Sequence, residues 1–232
     1  MDFSYLDRNV EGVREKISSS AVSSGYDPGR VTLLAAIKSA DVDQINYIHK
    51  VLGVSHVGEN RVQQLLERYE KLDREGLNIH FIGSLQTNKV KYIIDKVCLI
   101  HSLDSLKLAR EIDKQAKKHN LCMDVLLEIN SAMEESKGGV MPQDAESICI
   151  EISKLENVRL RGFMTMAPKG STREEYVKYF TDTRALGQKI WSEVLCLEGE
   201  PIFSMGMSDS FDIAVECGST MVRVGGGLFK QN

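Results

Sequence analysis

The sequence predicts an α/β fold: a single (β/α)8 TIM barrel over residues 1–232, with an extra N-terminal helix and a vestigial last helix. Three observations point there. Eight short runs of strand character alternate with segments of helical period, and only the last run lacks a full helix after it. Such alternation implies parallel strands with helices packed outside, and eight units suggest a closed sheet. No linker, low-complexity segment or close repeat divides the 232 residues, a length that α/β barrels reach as one domain.

The first element is an amphipathic helix, because Phe3, Leu6, Val10, Val13, Ile17 and Ala21 recur three or four residues apart. Gly25, Pro28 and Gly29 end it. "VTLLAAI" (31–37) reads as the first strand and 41–52 as the helix after it. "VSHVG" (54–58) is the second strand, followed by a helix through "NRVQQLLERYEKL" (60–72). "NIHFIG" (78–83) is the third, with a helix beginning near Thr87. "VCLIHS" (97–102) is the fourth, and the helix of 104–119 sets Leu106, Ala109, Ile112 and Ala116 on one face. "MDVLLEIN" (123–130) is the fifth. The next helix starts at Pro142, whose missing N–H had no intrahelical partner to lose, and carries Ala145, Ile148, Ile152 and Leu155 inward. "VRLRGFMTMA" (158–167) is the sixth strand. The long helix after it opens on Thr172 and Glu175 at capping-box spacing and runs through Trp191. "IFSMG" (202–206), a short helix in "SDSFDIAVEC" (208–217) stopped by Gly218, and "TMVRVG" (220–225) complete the set. Only "GGLFKQN" remains for an eighth helix, so the N-terminal helix is expected to cover that flank.

Composition narrows the function classes. With 29 Lys and Arg against 33 Asp and Glu, the net charge of −4 argues against a general nucleic-acid binder. The basic "KQAKK" (114–118) is then a solvated helix face. Cys98, Cys122, Cys149, Cys196 and Cys217 form no CxxC pair and mostly occupy apolar runs, where a free cysteine acts as a small buried hydrophobe. The five histidines lack metal-ligand spacing, so no metal is expected. No apolar run is long enough to span a membrane, and the acidic, mixed N-terminus is unlike a signal peptide. A cytoplasmic protein is expected.

Active sites of such barrels lie at the C-terminal ends of the strands. Those positions carry Lys38, Gly58 to Asn60, Gly83 to Gln86, His101 and Ser102, Asn130, Met164 to Met166, Gly206 to Asp209, and Arg223 with Gly225 to Gly227. Singly, each has an ordinary reading as a turn residue, a cap or a solvated strand end. The seventh and eighth ends say more, because barrels often bind phosphate there through backbone amides. Ser208 stands where a short helix is expected to begin, and glycine at 225–227 lets amides approach closely; an N-cap serine beside a flexible turn is the competing reading. Arg223 lies between Val222 and Val224, so strand alternation sends it into the barrel if the valines face the helices. A guanidinium there needs a partner: a carboxylate, a phosphate or a ring-nitrogen acceptor. A lysine, an arginine and a phosphate cradle on one rim suggest a phosphate ligand bearing an aldehyde, with Lys38 forming a Schiff base and the apolar run before it favouring the neutral amine. Pyridoxal 5′-phosphate (PLP) fits all three features; a sugar-phosphate aldehyde fits less well.

Nearly the whole chain resembles the pyridoxal phosphate homeostasis proteins, single-barrel relatives of the alanine racemase N-terminal domain. The carriers, in fixed order, are "LLAAIK", "GVSHVGENRVQQ", "IHFIGSLQTNK", "IHSLDSLKLA", "LLEIN" with "ESKGG", "LRGFMTMAP" and "SMGMSDSFDIAVECGSTMVRVG". The resemblance implies PLP held on Lys38, Asn60 near the cofactor, and Ser208 with the amides of Gly225 and Gly226 on the phosphate. It also implies Arg223 facing the pyridine nitrogen and no length left for the additional β domain of the racemases. An arginine there disfavours ring protonation and weakens the ring as an electron sink. The expected role is therefore a non-catalytic, monomeric PLP carrier that buffers or delivers the cofactor, with apo PLP-dependent enzymes as possible recipients. The alternatives are a small racemase-like enzyme with Lys38 as its base, a Schiff-base aldolase, and an interaction module with a vestigial site. Two departures from the family pattern stand out. Ile37 replaces the usual serine or threonine before the lysine, and Gly226 replaces a hydroxyl residue in a tail reading "GGGLFKQN".

Overall fold

Parallel pairing runs from β1 through β8 and closes from β8 back to β1, making the expected eight-stranded barrel. The structure is a computed structural model and describes residues 2–134 and 138–231. The strands are β1 (Thr32–Ala36), β2 (His56–Glu59), β3 (Asn78–Phe81), β4 (Leu99–Leu103), β5 (Met123–Ile129), β6 (Val158–Thr165), β7 (Ile202–Ser204) and β8 (Met221–Val224). Outside them lie α1 (Ser4–Ser23), α2 (Val42–Lys50), α3 (Val62–Tyr69), α4 (Leu106–Lys118), α5 (Ala145–Ile152), α6 (Arg173–Lys189), α7 (Phe211–Glu216) and a four-residue α8 (Gly226–Phe229).

Alternation along the strands sorts the core into two parts. Outward residues such as Val57, Phe81, Ile100, Phe163, Val222 and Val224 merge with the helices into one large apolar cluster. Inward residues form two smaller clusters, Leu34 with Ile82 and Met221, and Leu99 with Leu126 and Met164. In β6 the register shifts at Gly162, whose φ of 147° and close approach suit glycine alone: a Cβ would lie 2.0 Å from the Ile202 carbonyl oxygen.

α1 covers the flank left by the short α8. Leu6, Val10, Val13, Ile17 and Ala21 are buried, as their spacing predicts. Asn9 Nδ2 donates to the carbonyls of Leu228 (2.8 Å) and Lys230 (3.0 Å), and Lys16 pairs with Asp212 of α7 at 2.8 Å.

Four expectations need correction. The segment after β3 is a 3₁₀ helix, Thr87–Tyr92, without a side-chain cap; six residues scarcely repay α-helix nucleation, and the tighter turn brings Val90 and Ile93, three apart, inward. Pro142 opens a 3₁₀ turn (Pro142–Asp144) that leads into α5. The long helix α6 has its Thr172/Glu175 capping box, but its last turn loosens into a π-turn, Ile190–Val194. Of the five cysteines only Cys149 is buried, because Cys98 precedes β4, Cys122 precedes β5 and Cys196 lies in a left-handed turn. Lys114, Lys117 and Lys118 are exposed, as expected of a solvated face. Among the described residues no helix is long and apolar enough to cross a membrane.

Candidate functional site

Closure of the barrel puts β7, β8, β1 and β2 side by side, so Ser208, Gly225, Lys38 and Asn60 follow four adjacent strand ends. β1 is the middle of this arc. Leu34 pairs with Arg223 and Ala35 with Val224 on one side, and Ala36 pairs with Gly58 on the other. Lys38 lies two residues beyond β1 and is exposed, so the apolar run before it does not take its amine out of water. That corrects the expected desolvation. The backbone beneath it is held firmly. Ile37 N–H donates to Gly58 O (3.0 Å), and Arg68 of α3 donates to Ile37 O (2.8 Å). Arg68 also lies 3.1 Å from Glu59 Oε2, and Glu59 Oε1 accepts from the amide of Asn60 at 2.8 Å. Glu59 is fully buried, and that burial pushes its carboxyl up, opposed by the Asn60 amide and the Arg68 charge. Glu59 therefore points back toward α3 and braces the arc from behind. Ile37 itself is buried among the outer apolar residues.

Ser208 and the 225–227 glycines come together at one corner of the rim, though not in the local arrangement expected. Ser208 does not start the helix: β7 ends at Ser204, Gly206 turns at φ 86°, and α7 begins at Phe211 after Ser210. Ser208 sits in the intervening turn, where its Oγ accepts from the amides of Gly225 (3.4 Å) and Gly227 (3.3 Å). Both contacts are long for hydrogen bonds. Gly225 lies against β1, where a Cβ would come 2.9 Å from Ala36 O. At Gly226 a Cβ would meet only Ser208 Oγ at 3.8 Å and Lys230 Cε at 4.0 Å, which is ordinary contact.

Arg223 points into the barrel, as alternation predicts, and is 4% exposed. Its partners are carbonyl and hydroxyl oxygens. Nη1 donates to Ser204 O (2.6 Å) and Ser204 Oγ (2.7 Å), and Nη2 donates to Thr165 O (2.9 Å). Burial pushes its pKa down to about 10, countered by the charge of Glu128, and it remains a cation at neutral pH. Glu128, buried on β5, is pushed up to about 7 by that same burial. Asn60 Oδ1 is buried without a hydrogen-bond partner among the described residues. Gly83 fixes its backbone, since a Cβ there would lie 2.0 Å from Asn60 O.

Asn130 and Thr165 have local work. Asn130 holds the loop after β5 through Glu134, and Thr165 Oγ1 donates to Ile129 O at 2.8 Å. Residues 135–137 of "ESKGG" lie outside the described residues. The sequence reading placed His101 at a strand end but missed the inward row it forms with His56 and His80, joined by ring-nitrogen contacts of 2.9 Å. The alternation that found Arg223 could have found them, since each is flanked by outward apolar residues (Val57, Ile79 and Phe81, Ile100).

The residues are matched from 6 to 232 by the family described as alanine racemase, N-terminal domain. The pyridoxal phosphate homeostasis protein of Aquifex aeolicus (strain VF5) is 42% identical over 217 residues, 94% of each chain. The chain belongs to the pyridoxal phosphate homeostasis protein family. The family member of Escherichia coli (strain K12) is 32% identical over 224 residues, covering 95% of this chain and 94% of its own. PipY of Synechococcus elongatus PCC7942, solved with PLP bound, superposes with a TM-score of 0.79 at 30% identity, over 94% of this chain and all of PipY. An alanine racemase of Clostridium difficile shares the fold at a TM-score of 0.72 and 21% identity, matching 99% of this chain to 57% of the racemase.

The residues at this rim suit an anionic ligand with a polar edge on three counts. Two amides converge beside a serine hydroxyl, a buried amide oxygen lacks a donor, and a buried guanidinium lies under the same rim.

Proposed function

We propose that this chain is a PLP-binding barrel over residues 1–232 that takes part in PLP homeostasis, holding the cofactor through Lys38 and buffering or delivering it. The carrying observation is the arc of strand ends β7, β8, β1 and β2, which gathers Ser208, Gly225, Lys38 and Asn60 on one rim. Bound PLP supplies an aldehyde that condenses with an amine, losing water, and a pyridine ring able to accept electrons. Each residue has a role in that reading. Lys38 presents the amine, Ser208 and the amides of Gly225 and Gly226 take the phosphate, and Asn60 Oδ1 accepts from the ligand's polar edge. Arg223 faces the ring nitrogen as a permanent donor, which keeps that nitrogen unprotonated and supports a carrier rather than a catalyst. The exposure of Lys38 supports release as well as capture. A monomeric cytoplasmic protein with apo PLP-dependent enzymes as recipients completes the proposal.

The test is the visible spectrum of PLP-loaded protein before and after borohydride reduction, with peptide mapping of the adduct. The pyridoxyl group is expected on Lys38 and absent after Lys38→Ala. Its appearance on a different lysine, or nowhere, sinks the reading. A second reading is a racemase-like enzyme with Lys38 as base: Glu128 lies buried on β5, where burial pushes its carboxyl up to about 7, a value suited to a further proton-exchanging group. That reading requires sustained exchange of an amino acid's α-proton in deuterated water, lost in both Lys38→Ala and Glu128→Gln.

A further inference from the structure

The barrel interior carries a polar chain that the arc of strand ends leaves unused. His56 Nδ1 lies 2.9 Å from His80 Nε2, and His80 Nδ1 lies 2.9 Å from His101 Nε2. His101 Nδ1 lies 3.0 Å from Ser204 Oγ, the hydroxyl that accepts from Arg223 Nη1 at 2.7 Å. Strand register explains the ladder. His80 pairs with Gly58, two residues above His56, and with Leu99, two residues below His101. Each step to the next strand therefore climbs two residues on the inward face. The chain rises from His56, half-buried near the lower mouth, to the guanidinium under the rim; His80 is 2% exposed and His101 not at all.

These contacts lock together. A neutral imidazole has one donor and one acceptor nitrogen, so each ring-to-ring contact holds one proton and the tautomers are set as a group. Burial keeps both inner rings neutral, with His80 pushed down to about 3 and His101 held far below its ordinary value by burial and by the neighbouring charges. Two orientations remain. With protons pointing away from Arg223, Ser204 O–H donates to His101 Nδ1, His101 Nε2–H to His80 Nδ1, and His80 Nε2–H to His56 Nδ1. Every lone pair then faces the cation. The reverse orientation aims N–H dipoles at the cation and takes His101 Nδ1 away from the Ser204 proton. The first orientation wins on charge. Because the guanidinium keeps its protons, the chain cannot pass a proton at its upper end, and it orients rather than conducts.

We propose that His101, backed by His80 and His56, is a positioning residue for Arg223: through Ser204 it fixes the guanidinium as a donor aimed at the ring nitrogen of the cofactor. This rests on the reading of Arg223 given under Proposed function. Two measurements on the full chain test it. Imidazole ¹⁵N NMR of the ligand-free protein at neutral pH should show His80 and His101 as neutral Nε2–H tautomers, and His56→Phe should disturb the His101 signal across the barrel. An Nδ1–H tautomer or a cationic ring at either position, or a His101 signal indifferent to His56→Phe, overturns the relay. After PLP loading, His101→Phe should speed cofactor release about tenfold, the usual scale of leaving one charged-group partner unmade, and should shift the visible band. His101→Asn, which returns an acceptor to Ser204, should recover most of both. Equal effects of the two variants, or no band shift in either, leave His101 a packing residue only and sink the proposal. If wild-type protein takes no PLP on Lys38, the site reading falls and takes the aim at a ring nitrogen with it. Normal loading with unchanged His101→Phe removes the relay alone. Should His101→Phe fail to fold, the tautomer measurements still decide.

Discussion

Gly226 is a place where one side chain would change retention of the cofactor. Its backbone is not left-handed, and an added Cβ would touch only Ser208 Oγ and Lys230 Cε at ordinary distances. Gly226→Thr should therefore fold without strain, gain a few tenths of a kcal/mol by removing a helical glycine, and bring a hydroxyl beside Ser208. One more donor to a charged phosphate contributes about 1.5 kcal/mol, so PLP release, followed as loss of the bound-cofactor absorbance, should slow by about tenfold. Unchanged release would show that the phosphate does not sit between Ser208 and the start of α8. At this scale the sequence was informative where strand alternation applied. Arg223 could be placed inside the barrel because Val222 and Val224 flank it. The bare Oδ1 of Asn60 was not readable, because it depends on Gly83 from the next strand end pressing on the Asn60 backbone.

Among the elements, α1 does the work of a missing barrel helix and also holds the cradle. Leu6, at 0% exposure, packs it into the outer core, and Asn9 ties the carbonyls at the end of α8. Those carbonyls belong to Leu228 and Lys230, within five residues of the Gly225 amide that meets Ser208. Asn9→Ala should cost about 1–2 kcal/mol in denaturant unfolding and also quicken PLP release. Leu6→Ala should cost about 2–5 kcal/mol through its cavity. A destabilised Asn9→Ala protein with unaltered release would separate α1 from the cradle. Every strand was legible from its apolar run, yet the turn after β7 was not. Ser208 and Ser210 both precede the apolar start at Phe211, and only the left-handed turn at Gly206 decides between them. The capping box at Thr172 and Glu175 was legible because two matched side chains specify it. The 3₁₀ segment after β3 was not, since its apolar spacing serves either helix type.

For the whole molecule, an interior that seats neutral histidines beside raised carboxyls shapes stability against pH. His80 and His101 have folded pKa values below the ordinary 6.5, so the unfolded chain binds more protons there and acid destabilises the fold through that window. Glu128 acts in the opposite sense. Its folded value near 7 exceeds the ordinary 4.5, so between those values the folded chain binds the extra proton, and Glu59, raised in the same direction, adds to the effect. His56, lowered by its own burial, adds to the two inner histidines, while Glu128 and Glu59 oppose them, so the slope between pH 6.5 and 4.5 is shallow. Below 4.5 the opposition from Glu128 fades, and the loss steepens toward pH 3, where His80 takes up its proton. Glu128→Gln removes the main opposing group. Relative to wild type, the variant should be more stable above neutrality than at pH 5, by about 2.5 kcal/mol on the size of the Glu128 shift. Its stability should also fall steeply from pH 6.5 without the shallow stretch. Denaturant titrations across this range check both features. Parallel curves for the two proteins would mean that Glu128 titrates in the barrel as it does in the unfolded chain, and that Arg223 has no buried carboxyl opposing its desolvation.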